Sequence, residues 1–477
     1  MSSVDESVLE KAINKMLSEG ASYAEARYHE IRRTSILLIN GAVMGVEQSV
    51  RSGIALRAIV SGGLGFASTT STSTEAVEKA ALRAVAAAKT SATGVKNPVR
   101  MSPARLGRAK YSVAEKEPLE DIAIGDKIAS LLEEYKVLVL ERNGFKVPNT
   151  TMIYTDSVEY KVLITSDGAY VESRVPRVAA MYNLAAVYGE KRANRFGELG
   201  ASGGYERLKE FRLGEKIQDD INSLYISLVE AKSPPRGKLD VVLSPEIVGL
   251  MVHESAGHPS EADRVLGREA AQAGMSFRAT YKEETIGSPT VTVVDDPTIP
   301  GSFGFYLYDD EGVAARERVL YDKGKLAELL HNRETAAIYG TESNGAARAM
   351  DYLSEPIVRM ANTYMKPGDY SFNELIEDIK HGIYIKKYME WNIDDIRWGQ
   401  RYVGLEAYVI ENGELGEPVT NVALEVTTKE LYSSIDAVGK DLVFYAGLCG
   451  KGEPPQGVPV WMGGPHVRLR GVTIRWA

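Results

Sequence analysis

Apolar residues Val8, Leu9, Ile13 and Leu17 recur at helical spacing through residues 5–19 and stop at Gly20, which predicts an amphipathic helix. The pattern then changes to strand-like runs over 24–31, 34–39, 43–50, 52–60 and 65–68, punctuated by Asn40-Gly41 and Gly62-Gly63 as hairpin turns. Thr72-x-x-Glu75 has the spacing of a capping box and opens a second, alanine-rich helix over 75–89. The chain to about residue 110 therefore reads as an N-terminal α+β domain, with 93–118 as a polar connection.

Residues 111–232 read as a middle α+β domain. It holds a helix over 119–135, strands near 152–154, 158–165, 169–174 and 178–188, a glycine-rich stretch over 196–204 and helical pattern over 205–231. Ser233-Pro234-Pro235-Arg236-Gly237 is the clearest linker in the chain. After it comes a strand at 239–243, and Ser244-Pro245 then supplies an N-cap and a first-turn proline for a helix to about Gly257. The rest is mostly short strands (290–294, 304–308, 403–410, 422–426, 467–474), with helical patches at 332–339 and 372–381. The fold class expected is α+β: an N-terminal α/β sheet-and-helix region, then a β-rich, barrel-like or sandwich-like C-terminal domain over 233–477 that carries a metal-binding helix.

Composition narrows the function classes. The 477 residues are 44% hydrophobic and 25% charged, enough apolar material for packed cores. A net charge of −9 with no basic stripe argues against nucleic acid as a partner. The N-terminal residues are acidic and helix-patterned rather than a signal peptide, and no apolar run approaches the ~18 residues that span a bilayer. One cysteine excludes a disulfide framework and fits a reducing compartment, so a cytoplasmic protein is expected.

Two of the six histidines flank a glutamate in Val252-His253-Glu254-Ser255-Ala256-Gly257-His258-Pro259. In H-E-x-x-H zinc proteases the histidines lie four apart on one face, with the glutamate as general base. Here they are five apart, which on a regular helix turns the second ring about 140° from the first. A π-bulge would restore the common face. Alternatively the helix ends early, at Gly257 and before Pro259, and His258 folds back; the residue types support this more directly. The single cysteine, Cys449, sits among glycines in what reads as a loop, and a third soft ligand is what a catalytic zinc requires.

Three other readings compete. Two histidines near a helix end can simply cap it. The zinc could be structural, or the chain a non-catalytic scaffold for a peptidase complex. Gly200-Ala201-Ser202-Gly203-Gly204 also matches the G-x-S-x-G elbow of serine hydrolases, with Ser202 as nucleophile, although Arg195-Phe196-Gly197-Glu198-Leu199 is a poor strand to lead into it.

The sequence resembles the TldD/PmbA family of zinc metallopeptidases, on its catalytic, TldD-like side, nearly end to end. The likeness is carried by the Gly20–Arg27 segment, Gly65-Phe66-Ala67, His253-Glu254-x-x-x-His258 with Glu261, and Tyr308-Asp309-Asp310-Glu311-Gly312. Arg359-Met360-Ala361-Asn362-Thr363, residues 406–413 and Cys449-Gly450-Lys451 leading to Gln456-Gly457-Val458-Pro459-Val460 complete it. The resemblance implies Zn²⁺ held by His253, His258 and Cys449, with Glu254 as the catalytic base. It implies unfolded or extended peptides as substrates, bound as a strand added to a sheet edge between two subunits. The partner would be a second copy or a TldE/PmbA-like paralogue. Glu261 and Asp263 are candidates to orient an imidazole, Asp263 reading better as a solvated turn residue. Gly452-Glu453-Pro454-Pro455 and Trp391–Gln400 depart from the family pattern, which bears on substrate choice rather than on the metal site.

Overall fold

The computed structural model describes residues 4–268, 275–452 and 454–477; Glu453 of the Gly452–Pro455 departure lies outside them. The strand runs predicted near the N-terminus join into two long strands, Tyr23–Ile39 and Ala42–Val60, because the polar breaks between them are exposed rather than turning. Asn40 and Gly41 both take positive φ, as a two-residue hairpin loop needs. The next turn is Ser61-Gly62 rather than Gly62-Gly63. The alanine-rich helix spans Thr74–Ala92 and is capped by Ser73, not Thr72.

One eight-stranded sheet runs through the first two hundred residues. Tyr23–Ile39 pairs with Ala42–Val60 on one side and with Phe145–Thr165 on the other, and Tyr170–Tyr188 and Lys191–Ser202 extend it antiparallel. The glycine-rich stretch lies largely in this last strand. Helices Glu6–Ser18 and Thr74–Ala92 cover one end of the sheet, around Leu9, Met16, Leu56 and Ala84. Helices Ile124–Lys136 and Leu213–Tyr225 cover the other, around Leu131, Tyr154, Leu184 and Ile221. The predicted 205–231 helix breaks at Arg212, which adopts left-handed φ between two shorter helices.

The C-terminal half is a barrel joined to a second sheet. Gly237–Leu243, Val467–Trp476, Val422–Thr427, Gly399–Glu411 and His381–Ile393 pair in a closed ring. Helix Pro245–Val252 leaves the first of these strands and is buried on every side, as its largely apolar sequence requires, with Glu246 paired to Arg195. Beside it lies a six-stranded sheet whose edge strand, Val443–Lys451, pairs among the described residues only with Gln456–Gly464. Two predictions fail here. Residues 304–308 form no strand, and the helix predicted over 372–381 is only Phe372–Ile376, since His381 opens a barrel strand.

Candidate metal centre

At the end of helix Pro245–Val252 the backbone widens. His253–Gly257 is a π turn in which the His258 N–H bonds the His253 carbonyl, five residues back. The extra residue absorbs the 140° offset and brings the two imidazoles together, with ring centroids 4.9 Å apart and planes at 82°. This is the π-bulge and not the early helix end. His258 keeps helical φ/ψ (−54°, −45°) despite the following proline and starts a 3₁₀ turn, His258–Ser260. Its ring is anchored in place, which outweighs the local pre-proline preference. Gly257 does not act as a left-handed stop. It is needed because a Cβ there would lie 1.9 Å from Met360 Sδ.

Cys449 lies on the edge strand Val443–Lys451 and not in the expected loop; its glycine neighbours Gly447 and Gly450 are strand residues. Its carbonyl and that of Gln456, which opens the paired strand Gln456–Gly464, both accept from the buried guanidinium of Arg359, which clamps the two strands together near their turn. The thiol is buried 3.5 Å from His258 Nε2, across 191 residues of sequence. Burial acts to raise the thiol, but the facing His258 ring and Arg359 outweigh it and bring it to about 7.

His258 Nδ1 is 3.0 Å from Glu261 Oε2. Burial pushes the Glu261 carboxyl upward, and Lys451, His258 and Arg264 together hold it well below the usual range. Asp263 is not a solvated turn residue. It accepts from Lys451 Nζ at 2.6 Å, and the same ammonium lies 3.3 Å from Glu261. Lys451, two residues after Cys449, therefore pins the cysteine strand to the carboxylate that orients His258.

The ligand atoms of His253, His258 and Cys449 lie within 4.8 Å of one another, and they form the one such group found among the described residues. Among the described residues His253 Nδ1 is buried without a hydrogen-bond partner, and burial, the leading cause, lowers this imidazole's pKa, favouring the neutral form that a ligand needs. A tetrahedral zinc with ordinary Zn–N and Zn–S bonds implies a nitrogen–sulfur edge of about 3.6 Å, close to the separation seen between His258 and Cys449. The donor set fits the metal. Glu254, 5% exposed, sits next to His253 and is paired with the guanidinium of Arg397.

The competing candidates are not assembled. Ser202 is fully buried, and among the described residues its hydroxyl has no hydrogen-bond partner and no base beside it. His29, His331 and His466 pair locally with Glu159, Thr335 and Asp441. Sequence reasoning missed Arg397 and the tie made by Lys451. Arg397 belongs to the Trp391–Gln400 segment expected to bear only on substrate choice, and the fold brings that segment onto the centre itself.

Two imidazoles, a thiol of lowered pKa and a neighbouring carboxylate, buried at a π turn, define a candidate metalloenzyme centre. The chain belongs to the PmbA/TldD metallopeptidase family. Its residues 236–475 match the PmbA/TldA metallopeptidase C-terminal domain, 112–224 the central domain and 24–88 domain 1. It is 34% identical over 459 residues to a protein of Methanothermobacter thermautotrophicus named a metalloprotease, covering 96% of both chains. It is also 34% identical over 261 residues to a zinc metalloprotease TldD homolog of Saccharolobus solfataricus, covering 54% of this chain and 56% of that one. The crystal structure of TldE from Thermococcus kodakarensis shares the fold, with a TM-score of 0.75 at 17% identity over 98% of this chain and 99% of that one. Among the described residues no helix is long and apolar enough to cross a membrane.

Proposed function

We propose that this chain is a zinc-dependent peptidase that hydrolyses unfolded or extended peptides. The reading is carried by one observation: Cys449 meets His253 and His258 in a buried cluster, in a chain of a metallopeptidase family. His253, His258 and Cys449 would hold zinc, which supplies Lewis acidity toward water and a peptide carbonyl when bound. Glu254 takes the proton of the attacking water and returns it to the leaving amine. Glu261 keeps the Nδ1 side of His258 occupied, so that Nε2 faces Cys449.

A structural zinc would call for a fourth protein ligand, and the cluster among the described residues has three. Substrate strands would lie along the outer edge of Val443–Lys451, which no strand pairs among the described residues and where backbone recognition tolerates many side chains. A cavity of about 500 Å³ adjoins this edge, lined by Leu448, Val458 and Pro459 on one side and by Glu159, Arg177 and Glu198 of the long sheet on the other. The assembly proposed is a pair, with a second copy or a TldE/PmbA-like paralogue.

Metal analysis joined to digestion of an unstructured peptide tests this reading. Zinc near one equivalent per chain and cleavage abolished by a chelator and restored by zinc are expected. Cleavage indifferent to the chelator would overturn it.

A further inference from the structure

Arg397 stands at the tip of the turn joining barrel strands His381–Ile393 and Gly399–Glu411. Its φ is +66°, a conformation where glycine is at ease and a residue with a side chain is strained. The turn nonetheless holds it firmly. Asp394 accepts from the backbone N–H groups of Trp398 and Gly399, and the Arg397 carbonyl accepts from Thr428 Oγ1 at 2.8 Å. Trp398 packs on Phe277 and Tyr281, while Ile396 accepts from the Phe277 N–H at 2.8 Å. The turn is thus docked against the segment following the motif, and Ser276 of that segment donates to Pro259.

What this strained placement accomplishes is a contact across 143 residues: Arg397 Nη1 donates to Glu254 Oε2, with both side chains buried. A buried carboxylate with rotatable bonds needs a partner to hold it in one orientation. We propose that Arg397 is a positioning residue for Glu254: by fixing Oε2 it leaves Oε1 as the oxygen that receives the proton. The inference rests on the peptidase reading above and deepens it.

The strained φ supplies a clean probe, because glycine fits the backbone while removing the guanidinium. In the full chain loaded with zinc, R397G is expected to bind zinc as the parent does, with kcat about 10²-fold lower and KM unchanged. Added guanidinium ion should recover part of that loss, and R397K should fall between parent and R397G. E254Q/R397G should cleave no more slowly than E254Q alone, since Arg397 acts through Glu254.

Thermal unfolding of the metal-free protein gives a readout independent of turnover. If Arg397 holds Glu254, the two losses should couple, so E254Q/R397G should lower the unfolding temperature by less than the sum of the two single variants. A parent that cleaves while R397G cleaves equally fast overturns this inference alone, as does loss of zinc from R397G or a double variant whose loss of stability equals the sum of the two singles. A zinc-loaded parent without cleavage overturns the peptidase reading, and this one with it.

Discussion

At the scale of single residues, Glu254 and the three candidate ligands should separate cleanly on substitution. Glu254→Gln keeps the shape of the side chain and removes its basicity, so zinc content should stay at the parent's level while turnover falls by about 10³-fold or more. His253→Ala or Cys449→Ser should instead lose the metal, because two protein ligands remain where a catalytic zinc ordinarily has three. Zinc analysis run beside a peptide assay reads both outcomes. Gly257 makes a different demand. Its α-carbon faces the buried Met360 side chain, and a Cβ would fall 1.9 Å from the sulfur. Gly257→Ala should therefore cost about 1–3 kcal/mol as overpacking, read as a lower Tm in the metal-free protein.

At the scale of elements, the centre is a helix end and an edge strand held together by charge. Lys451 donates to Asp263 at 2.6 Å and to the Val358 carbonyl at 2.7 Å, and it lies 3.3 Å from Glu261. Lys451→Met keeps the stem and removes all three ties, so zinc affinity should fall about 10–100-fold with the ligands themselves intact, measured by competition with a chromogenic chelator. The motif helix was legible beforehand because its signals are local: Ser244 and Pro245 mark its start, and the spacing of His253 and His258 demands a distortion. Which distortion occurs was not legible, since it depends on Cys449 facing His258 and on Lys451 beside Glu261, groups nearly two hundred residues away that outweigh Pro259. The Cys449 strand was misread for a similar reason. Glycines at 447 and 450 look like loop residues, yet Arg359 and pairing with Gln456–Gly464 hold them extended. Arg397 was invisible, because nothing in a polar turn announces a partner 143 residues away.

At the scale of the whole molecule, the long N-terminal sheet and Leu448 of the C-terminal edge strand face each other across one cavity, and Glu198 stands at that junction. Its carboxyl lies by the Leu448 backbone N–H, one residue from Cys449, while its Oε1 is buried without a partner. Burial raises it from 4.5 to about 7, against the lowering effect of that N–H. In the folded protein Glu198 thus retains a proton that the unfolded chain has already released, so stability falls as pH rises from about 4.5 through about 7. The full shift would correspond to about 3 kcal/mol; partial exposure to the cavity screens it to about 1–2 kcal/mol. Glu198→Gln mimics the protonated side chain at every pH. Parent and variant should unfold at nearly the same temperature at pH 4, and the variant should unfold at the higher temperature at pH 8. Equal melting temperatures at both pH values would mean that Glu198 ionises in the folded state as readily as in the unfolded one, and that the cavity beside the cysteine strand is wetter than its lining implies.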